Sequence, residues 1–236
     1  MIGFVGLIGL IGQISLPGIT FTGSGGPEDV TTVLEIAGLL TVLTLAPSIL
    51  VMLTCFTRVL IVLSFLRQAI GAPQMPPNQI VTGLALFLTV FIMAPVGQEM
   101  HRTALGPYLN KQIKSTQAVE RGWIPLRAFL LKHTRERDLG LMVELGQGPR
   151  PAKPEEVTAQ ALIPAFVISE LRTSFQLAFV IFVPFLVIDM VVASVLMSMG
   201  MLMLPPVLIS LPIKILLFVL ADGWHLIVRS LVLSYQ

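Results

Sequence analysis

The sequence predicts an all-α protein of membrane-associated helical hairpins with a small helical insertion outside the membrane. Three observations support this fold class. Of the 236 residues, 55% are hydrophobic and only 12% are charged, whereas a typical soluble domain is about 45–50% apolar and about 25% charged. The mean hydropathy is +0.88. The apolar residues lie in runs long enough for helices that cross a bilayer, which takes about 20 residues.

The N-terminal segment, residues 1–35, begins with an apolar stretch in which glycine recurs at every third position from Gly3 to Gly12. Two interpretations stay open for residues 1–21. One is a secretory signal, against which the missing basic n-region counts, and the other is a glycine-faced helix that packs against partners. The polar turn that follows contains Pro27, Glu28 and Asp29, which favour a helix start because acids complement the N-terminal dipole.

Residues 36–98 predict a first helical hairpin. Its first arm is a long helix over Ile36–Leu66, which contains Arg58, and Pro47 is expected to kink it. The Pro- and Gly-rich break QAIGAPQMPPNQ follows, and a second apolar span runs over Ile80–Val96. The single cysteine, Cys55, excludes an internal disulfide and is interpreted as a small buried hydrophobe rather than a nucleophile.

Residues 99–160 differ from the rest of the chain because they hold most of its charge. They carry 10 of the 15 Lys and Arg residues and 7 of the 13 Asp and Glu residues. This composition predicts a solvated helical region outside the bilayer. The positive-inside rule would place such a basic region in the cytoplasm, but the rule is weak for segments near 60 residues.

Residues 161–236 predict a second hairpin, whose arms Leu162–Leu204 and Val207–Leu233 meet at the turn MSMGMLMLPP. Gly200 and the Pro205-Pro206 pair interrupt the helix there. The turn carries four methionines: Met197, Met199, Met201 and Met203. They either fill gaps in packing, or line a ring in which several copies bring flexible thioether side chains together around an axis.

Charged residues lie within or beside the apolar runs: Arg58, Glu170, Arg172, Asp189, Lys214 and Asp222. An unpaired charge at a bilayer centre costs roughly 2.5–3.5 kcal/mol, so these side chains are expected to pair. We predict a pair between Glu170 and Lys214, within or between copies. The alternative is an ion pathway, in which a secondary transporter or channel uses Asp189 and Asp222.

Catalytic and metal sites are not predicted. The histidines His101, His133 and His225 are scattered, with no HExxH or CxxC spacing around them. No nucleophile–base pair can be identified. The sequence therefore predicts no cofactor, no metal and no enzymatic activity.

Two stretches, residues 46–95 and 162–224, carry a resemblance. The first contains APSILVMLTCFTRVLIVLSF and the second contains MLPPVLISLPIKILLFVLADGW. They resemble the N-terminal and C-terminal signatures of the FliP/SctR family, whose members are core subunits of the export gate in bacterial flagellar and virulence type III secretion systems. The second stretch favours the flagellar branch.

The resemblance implies a non-catalytic channel subunit in the bacterial inner membrane, at the flagellar basal body, through which unfolded secreted proteins pass. It implies a helically wound homo-oligomer, a pentamer in the family, together with FliQ-type and FliR-type membrane subunits. The family's channel constriction matches Met197–Met203, and its acid and lysine that pair between neighbouring copies match Glu170 and Lys214. The region 99–160 would then face the periplasm.

Overall fold

The computed structural model of the chain describes residues 27–146, 153, 156–201 and 204–235. These residues form helices and no strand, which confirms the all-α fold class. The apolar N-terminal stretch and Met203, for which the sequence made predictions, lie outside the described residues. The chain divides into two compact units, residues 1–47 and 48–236.

Helix α1 (Pro27–Leu53) begins at the proline of the predicted start signal, and it contains Pro47. Within the first unit, the hydroxyl of Thr41 donates to the carbonyl of Ala37 (2.7 Å), four residues earlier in the helix. The 18-residue stretch Ile36–Leu53 is long and apolar enough to cross a membrane.

The predicted helix over Ile36–Leu66 is wrong at one point, because the chain breaks between α1 and α2 (Phe56–Ile70). Thr54 Oγ1 donates to the carbonyl of Leu50 (2.5 Å), and Thr57 Oγ1 donates to a carbonyl six residues earlier (2.7 Å). Threonine hydroxyls that bond the local backbone offer it an alternative to the helical ladder, which favours a helix end here.

Helix α3 (Asn78–Met100) forms the second arm near its predicted place and continues into a π-helical turn (His101–Leu105). Three further helices follow in the charged region: α4 (Gly106–Leu109), α5 (Ser115–His133) and α6 (Glu136–Leu145). Helix α5 packs against α3 and the π-helical turn. The predicted charged region is therefore helical in its described part.

The C-terminal hairpin begins with α7 (Ala159–Ser198), which runs for 40 residues. Its length is roughly 60 Å at about 1.5 Å per residue, about twice the roughly 30 Å of a hydrocarbon core. The return arm consists of α8 (Pro206–Leu220) and α9 (Gly223–Leu233), which are bent by 64°. The elbow needs a glycine, because a Cβ at Gly223 would lie 2.1 Å from the Phe218 ring.

Helix α2 lies at the centre of the second unit. It packs most extensively against α7, and also against α3 and α8, while α5 and α6 pack against α7. The buried face of α2 includes Val59, Val62, Leu63 and Leu66. Among the described residues, three helices are long and apolar enough to cross a membrane, or four if α8 and α9 form one bent span.

Candidate functional site: two ion pairs and a methionine turn

The first ion pair joins Arg58 on α2 to Glu170 on α7. Arg58 Nε donates to Glu170 Oε2 (2.9 Å) and Arg58 Nη2 donates to Glu170 Oε1, so the guanidinium binds the carboxylate in a bidentate manner. The phenol of Tyr235, which lies just after α9, donates a third hydrogen bond to Glu170 Oε2. Both charged side chains are almost fully buried, at 4% and 1% exposed.

Other groups complete the first pair's surroundings. Arg58 Nη1 donates to the carbonyl and hydroxyl of Ser234 (3.3 and 3.1 Å). The guanidinium carbon lies 3.9 Å from the centre of the Tyr235 ring, a cation–π distance. The rings of Phe129 and His133 pack on Tyr235, with centroids 6.0 and 4.9 Å away. Arg58 thus holds the C-terminal residues against α2 and α7.

The second ion pair joins the two arms of the C-terminal hairpin. Lys214 Nζ on α8 donates to Asp189 Oδ2 on α7 (2.5 Å) and to the carbonyl of Ala69 at the end of α2 (3.3 Å). The hydroxyl of Ser210 donates to Asp189 Oδ1 (2.6 Å). The two side chains differ in burial, because Lys214 is 6% exposed and Asp189 is 40% exposed.

The structure therefore pairs the predicted charges differently from the sequence within a single chain. Glu170 is held by Arg58 and Tyr235, and Lys214 is held by Asp189. Arg58, Glu170, Asp189 and Lys214 all belong to networks, as the cost of unpaired charge in apolar surroundings requires. The pairing of Glu170 with Lys214 between copies is not tested by one chain and stays a prediction.

The remaining predicted charges lie outside both networks. Arg172 is exposed on α7, and no hydrogen bond or ion pair engages it in the described part of the chain. Asp222 is exposed and has a left-handed backbone (φ +50°) at the position before α9. Cys55, interpreted as a buried hydrophobe, is fully buried, and its Sγ lies 3.9 Å from the carbonyl of Thr89.

The methionine turn is defined by its backbone. Gly200 adopts φ +73°, its amide donates to the Met197 carbonyl (3.1 Å), and the Met201 amide donates to the Leu196 carbonyl (3.0 Å). This pair of bonds around a left-handed glycine is the Schellman motif that ends many helices. Helix α7 therefore ends just before Gly200, where the sequence predicted an interruption.

The side chains of this turn point away from the core. Met197, Met199 and Met201 are 60%, 67% and 37% exposed. Methionines that fill gaps in a core are buried, so packing within the chain does not account for these three. The fourth predicted methionine, Met203, is outside the described residues.

Sequence reasoning missed Tyr235 and Ser210. Tyr235 lies 65 positions from the carboxylate that it binds, so no local pattern could connect the two. Ser210 lies four residues before Lys214, on the same face of α8. A hydroxyl one turn from a buried cation was the one signal that could have added it to the charge network.

Comparison with known proteins gives a consistent result. The model of the FliP family matches residues 39–231. The flagellar biosynthetic protein FliP of Bacillus subtilis is 52% identical over 217 residues, which cover 92% of this chain and 98% of that protein. The proteins of the same name from Pectobacterium carotovorum and Aquifex aeolicus are each 50% identical, over 221 and 199 residues. These matches cover 93% and 84% of this chain, and 86% and 83% of the respective relatives.

Proposed function

The chain belongs to the FliP family, and from this premise we propose that it is a core, channel-forming subunit of the flagellar protein export gate. Unfolded secreted proteins would pass through a central pore formed by several copies. The relatives' shared description as flagellar biosynthetic proteins supports the flagellar branch over the virulence branch.

The observation that carries this proposal is the exposure of the methionine turn. Met197, Met199 and Met201 lie at the end of a long apolar hairpin, and their side chains are not used to pack the chain's own core. Methionine is unbranched and flexible, so a ring of such side chains can close around an opening and yield when a polypeptide passes. With Met203, these residues form the proposed constriction.

The exposed apolar surface supports assembly in a membrane. Large side chains remain exposed along α7 and α8, for example Phe179 at 71% and Leu220 at 78%. Contiguous apolar surface of this kind is typical of protein–protein or membrane contacts. We propose a pentamer of this chain with FliQ-type and FliR-type subunits, in the inner membrane, with residues 99–160 on the periplasmic side.

An ion-coupled transporter is the rival function, and the second ion pair argues against it. Such a protein would use Asp189 as an ion or proton carrier, but both Asp189 oxygens accept hydrogen bonds, from Lys214 and Ser210. A carboxylate that bridges two helices in this way has a structural role. We also propose that the chain has no catalytic activity, which its burial of Cys55 supports.

The first test is a native mass spectrum of the chain, co-expressed with FliQ-type and FliR-type partners and extracted in mild detergent. We expect one defined complex with several copies of this chain and both partners. A monomer or dimer that ignores both partners would contradict the export-gate assignment. Ion flux through the purified chain alone would then support the transporter.

The second test concerns the constriction. Replacing Met199, Met201 and Met203 with Ala leaves the opening unfilled, so leakage of small solutes through membranes that contain the complete complex should rise several-fold. The matched control is Met190→Ala, which alters an exposed methionine (64%) within α7, before the turn. Equal conductance in the triple variant and the control would remove the constriction role.

A third test addresses the charge pair between copies. Pairing of Glu170 with Lys214 across an interface requires an exchange of partners, because Arg58 and Asp189 hold these groups within the chain. Reversing either charge alone should reduce the yield of the complex, and reversing both should restore part of it. If the doubly reversed variant gives no more complex than the worse single variant, Glu170 and Lys214 do not pair between copies.

A further inference from the structure

An apolar groove runs along the exposed side of α7, beside α2. It encloses about 380 Å³, within the range of about 300–1,000 Å³ that is usual for ligand sites. The residues that line it include Phe65, Phe175, Ala178, Phe179, Phe182 and Leu186. Phe65 forms edge-to-face contacts with Phe175 and Phe182, with ring centroids 5.5 and 6.4 Å apart, so these three rings form one aromatic wall.

The groove has a polar end. A second, adjoining hollow shares Phe175 and Phe179 with it, and adds Arg172 and Gln176. Arg135, at the start of α6, donates to Gln176 Oε1 and to Thr173 Oγ1 (3.2 Å). Two guanidinium groups, those of Arg172 and Arg135, therefore lie beside the end of the groove that faces the charged region.

Both guanidinium groups lack a carboxylate. Within the described ranges no acid lies within ion-pair distance of either group, whereas Arg58 has one. Arginine binds phosphate with paired, charge-assisted hydrogen bonds, and its flexible stem lets a charge at the edge of an apolar span reach the headgroup level. The two unneutralised charges fit an anionic group.

The dimensions fit a lipid. From Phe175 to Leu186 the groove extends roughly 16 Å along α7 at about 1.5 Å per residue, close to the depth of one leaflet, roughly half of a 30 Å hydrocarbon core. Before Arg172, α7 carries the buried Glu170 and packs against α5 and α6 of the charged region. Arg172 thus lies between that packed part of α7 and the groove.

We propose that this groove binds one anionic phospholipid, with an acyl chain along Phe175–Leu186 and the phosphate on Arg172, assisted by Arg135. The site depends on the membrane location of the chain but not on its role in export. An anionic phospholipid supplies both the acyl chain for the apolar groove and the negative charge for the two guanidinium groups. A second copy of the chain is the rival occupant, and the experiment below distinguishes the two.

The experiment uses the full chain in vesicles that contain a small fraction of photoactivatable phosphatidylglycerol with a diazirine in its acyl chain. After illumination, labelled residues are located by peptide mass spectrometry. We expect labels concentrated on residues of the groove. The same probe with a phosphatidylcholine headgroup should give at least about five-fold less labelling of these residues.

Two variants locate the site. Arg172→Gln should reduce phosphatidylglycerol labelling of the groove about five-fold, whereas the control Arg229→Gln, which removes an exposed charge from α9, should not alter it. Val183→Trp, at an exposed residue of the groove (43%), should block the acyl chain. Circular dichroism checks that each variant keeps its helix content.

Two outcomes would overturn the proposal. Equal labelling by both headgroups, unaffected by Arg172→Gln, would mean contact with bulk lipid only. Absence of lipid labels, with cross-links from the groove to a second copy of the chain, would assign the groove to the interface between copies.

Discussion

The two ion pairs of this fold serve different purposes, and their burial explains the difference. Arg58 and Glu170 are 4% and 1% exposed, and they join helices whose paired residues lie 112 positions apart. Lys214 and Asp189 join the arms of one hairpin, 25 positions apart, and Asp189 is 40% exposed. The first pair is buried within the chain, whereas the aspartate of the second pair is partly exposed.

The comparison has an energetic meaning. A fully buried pair contributes little net stability relative to an apolar core, but the loss of one partner leaves an uncompensated charge. A pair with one exposed member costs less to break, because solvent or a neighbouring molecule can reach the remaining group. The first pair therefore holds α2, α7 and residues 234–235 together, and the second pair is expected to be less costly to break.

The largest expected effect is that of Glu170→Gln. This change leaves the Arg58 guanidinium buried without a carboxylate, and we expect the free energy of unfolding to fall by about 3–5 kcal/mol. The measurement is reversible unfolding of the purified chain in mixed detergent micelles, followed by circular dichroism. The matched control is Glu99→Gln, which removes the acid of the exposed pair with Arg102 and should produce no measurable change. If both variants lower the free energy of unfolding equally, burial of the first pair does not raise the cost of losing its carboxylate.

In the second pair, replacing the acid and replacing the base are expected to lower the free energy of unfolding by different amounts. Asp189→Asn leaves the ammonium group of Lys214, 6% exposed, without a counter-charge, and should cost about 2 kcal/mol. Lys214→Met leaves Asp189, 40% exposed, with the Ser210 hydroxyl as a partner, and adds an apolar side chain, so it should cost about 1 kcal/mol or less. The same unfolding assay measures both variants. A larger cost for Lys214→Met would show that Asp189 is less accessible than its exposure indicates.

An effect smaller than that of Glu170→Gln is expected for Tyr235→Phe. The phenylalanine keeps the ring that stacks on Phe129 and covers Arg58, and it removes only the hydroxyl that donates to Glu170. Loss of one hydrogen bond to a charged group should lower the free energy of unfolding by about 1.5–3 kcal/mol, less than Glu170→Gln does. Tyr235→Ala, which also removes the ring, serves for comparison. If Phe and Ala cost the same, the hydroxyl carries the whole interaction.

The sequence predicted the fold well where the determinants are local. Apolar runs, together with Gly200 and the proline pair, specified the hairpin of α7 and α8, because glycine and proline act on their own turn of backbone. The break at Thr54 was missed. Both sides of it are apolar and helical, so hydropathy does not change there, and the hydroxyl bonds that end the helix are visible only in the structure.

The site was predicted in part for a related reason. Apolar context indicated which charges must pair, since burial of an unpaired charge is costly wherever it occurs. The choice of partner depends on how helices pack, and Arg58, Glu170 and Tyr235 come from three separate segments. One sequence specifies the need for a partner but not its identity, which is why the contact of Lys214 with Asp189 within the chain was not predicted.

The smallest effect at neutral pH is expected for a change at His133. Its effect on the free energy of unfolding should appear only in acid and only near the first pair. His133 contacts Tyr235 beside the first pair, and burial, helped by the charges of Arg58 and Lys132, lowers its pKa to about 4. The unfolded chain has a histidine pKa of about 6.5, so it binds more protons than the folded chain between these values. The free energy of unfolding should therefore be unaffected by His133 above about pH 6.5 and should decrease as the pH falls towards 4.

His133→Gln should remove this part of the acid sensitivity, whereas His225→Gln, at an exposed site on α9, should retain it. If the free energy of unfolding of wild type and of His133→Gln depends on pH in the same way, protonation of His133 does not contribute to the acid sensitivity.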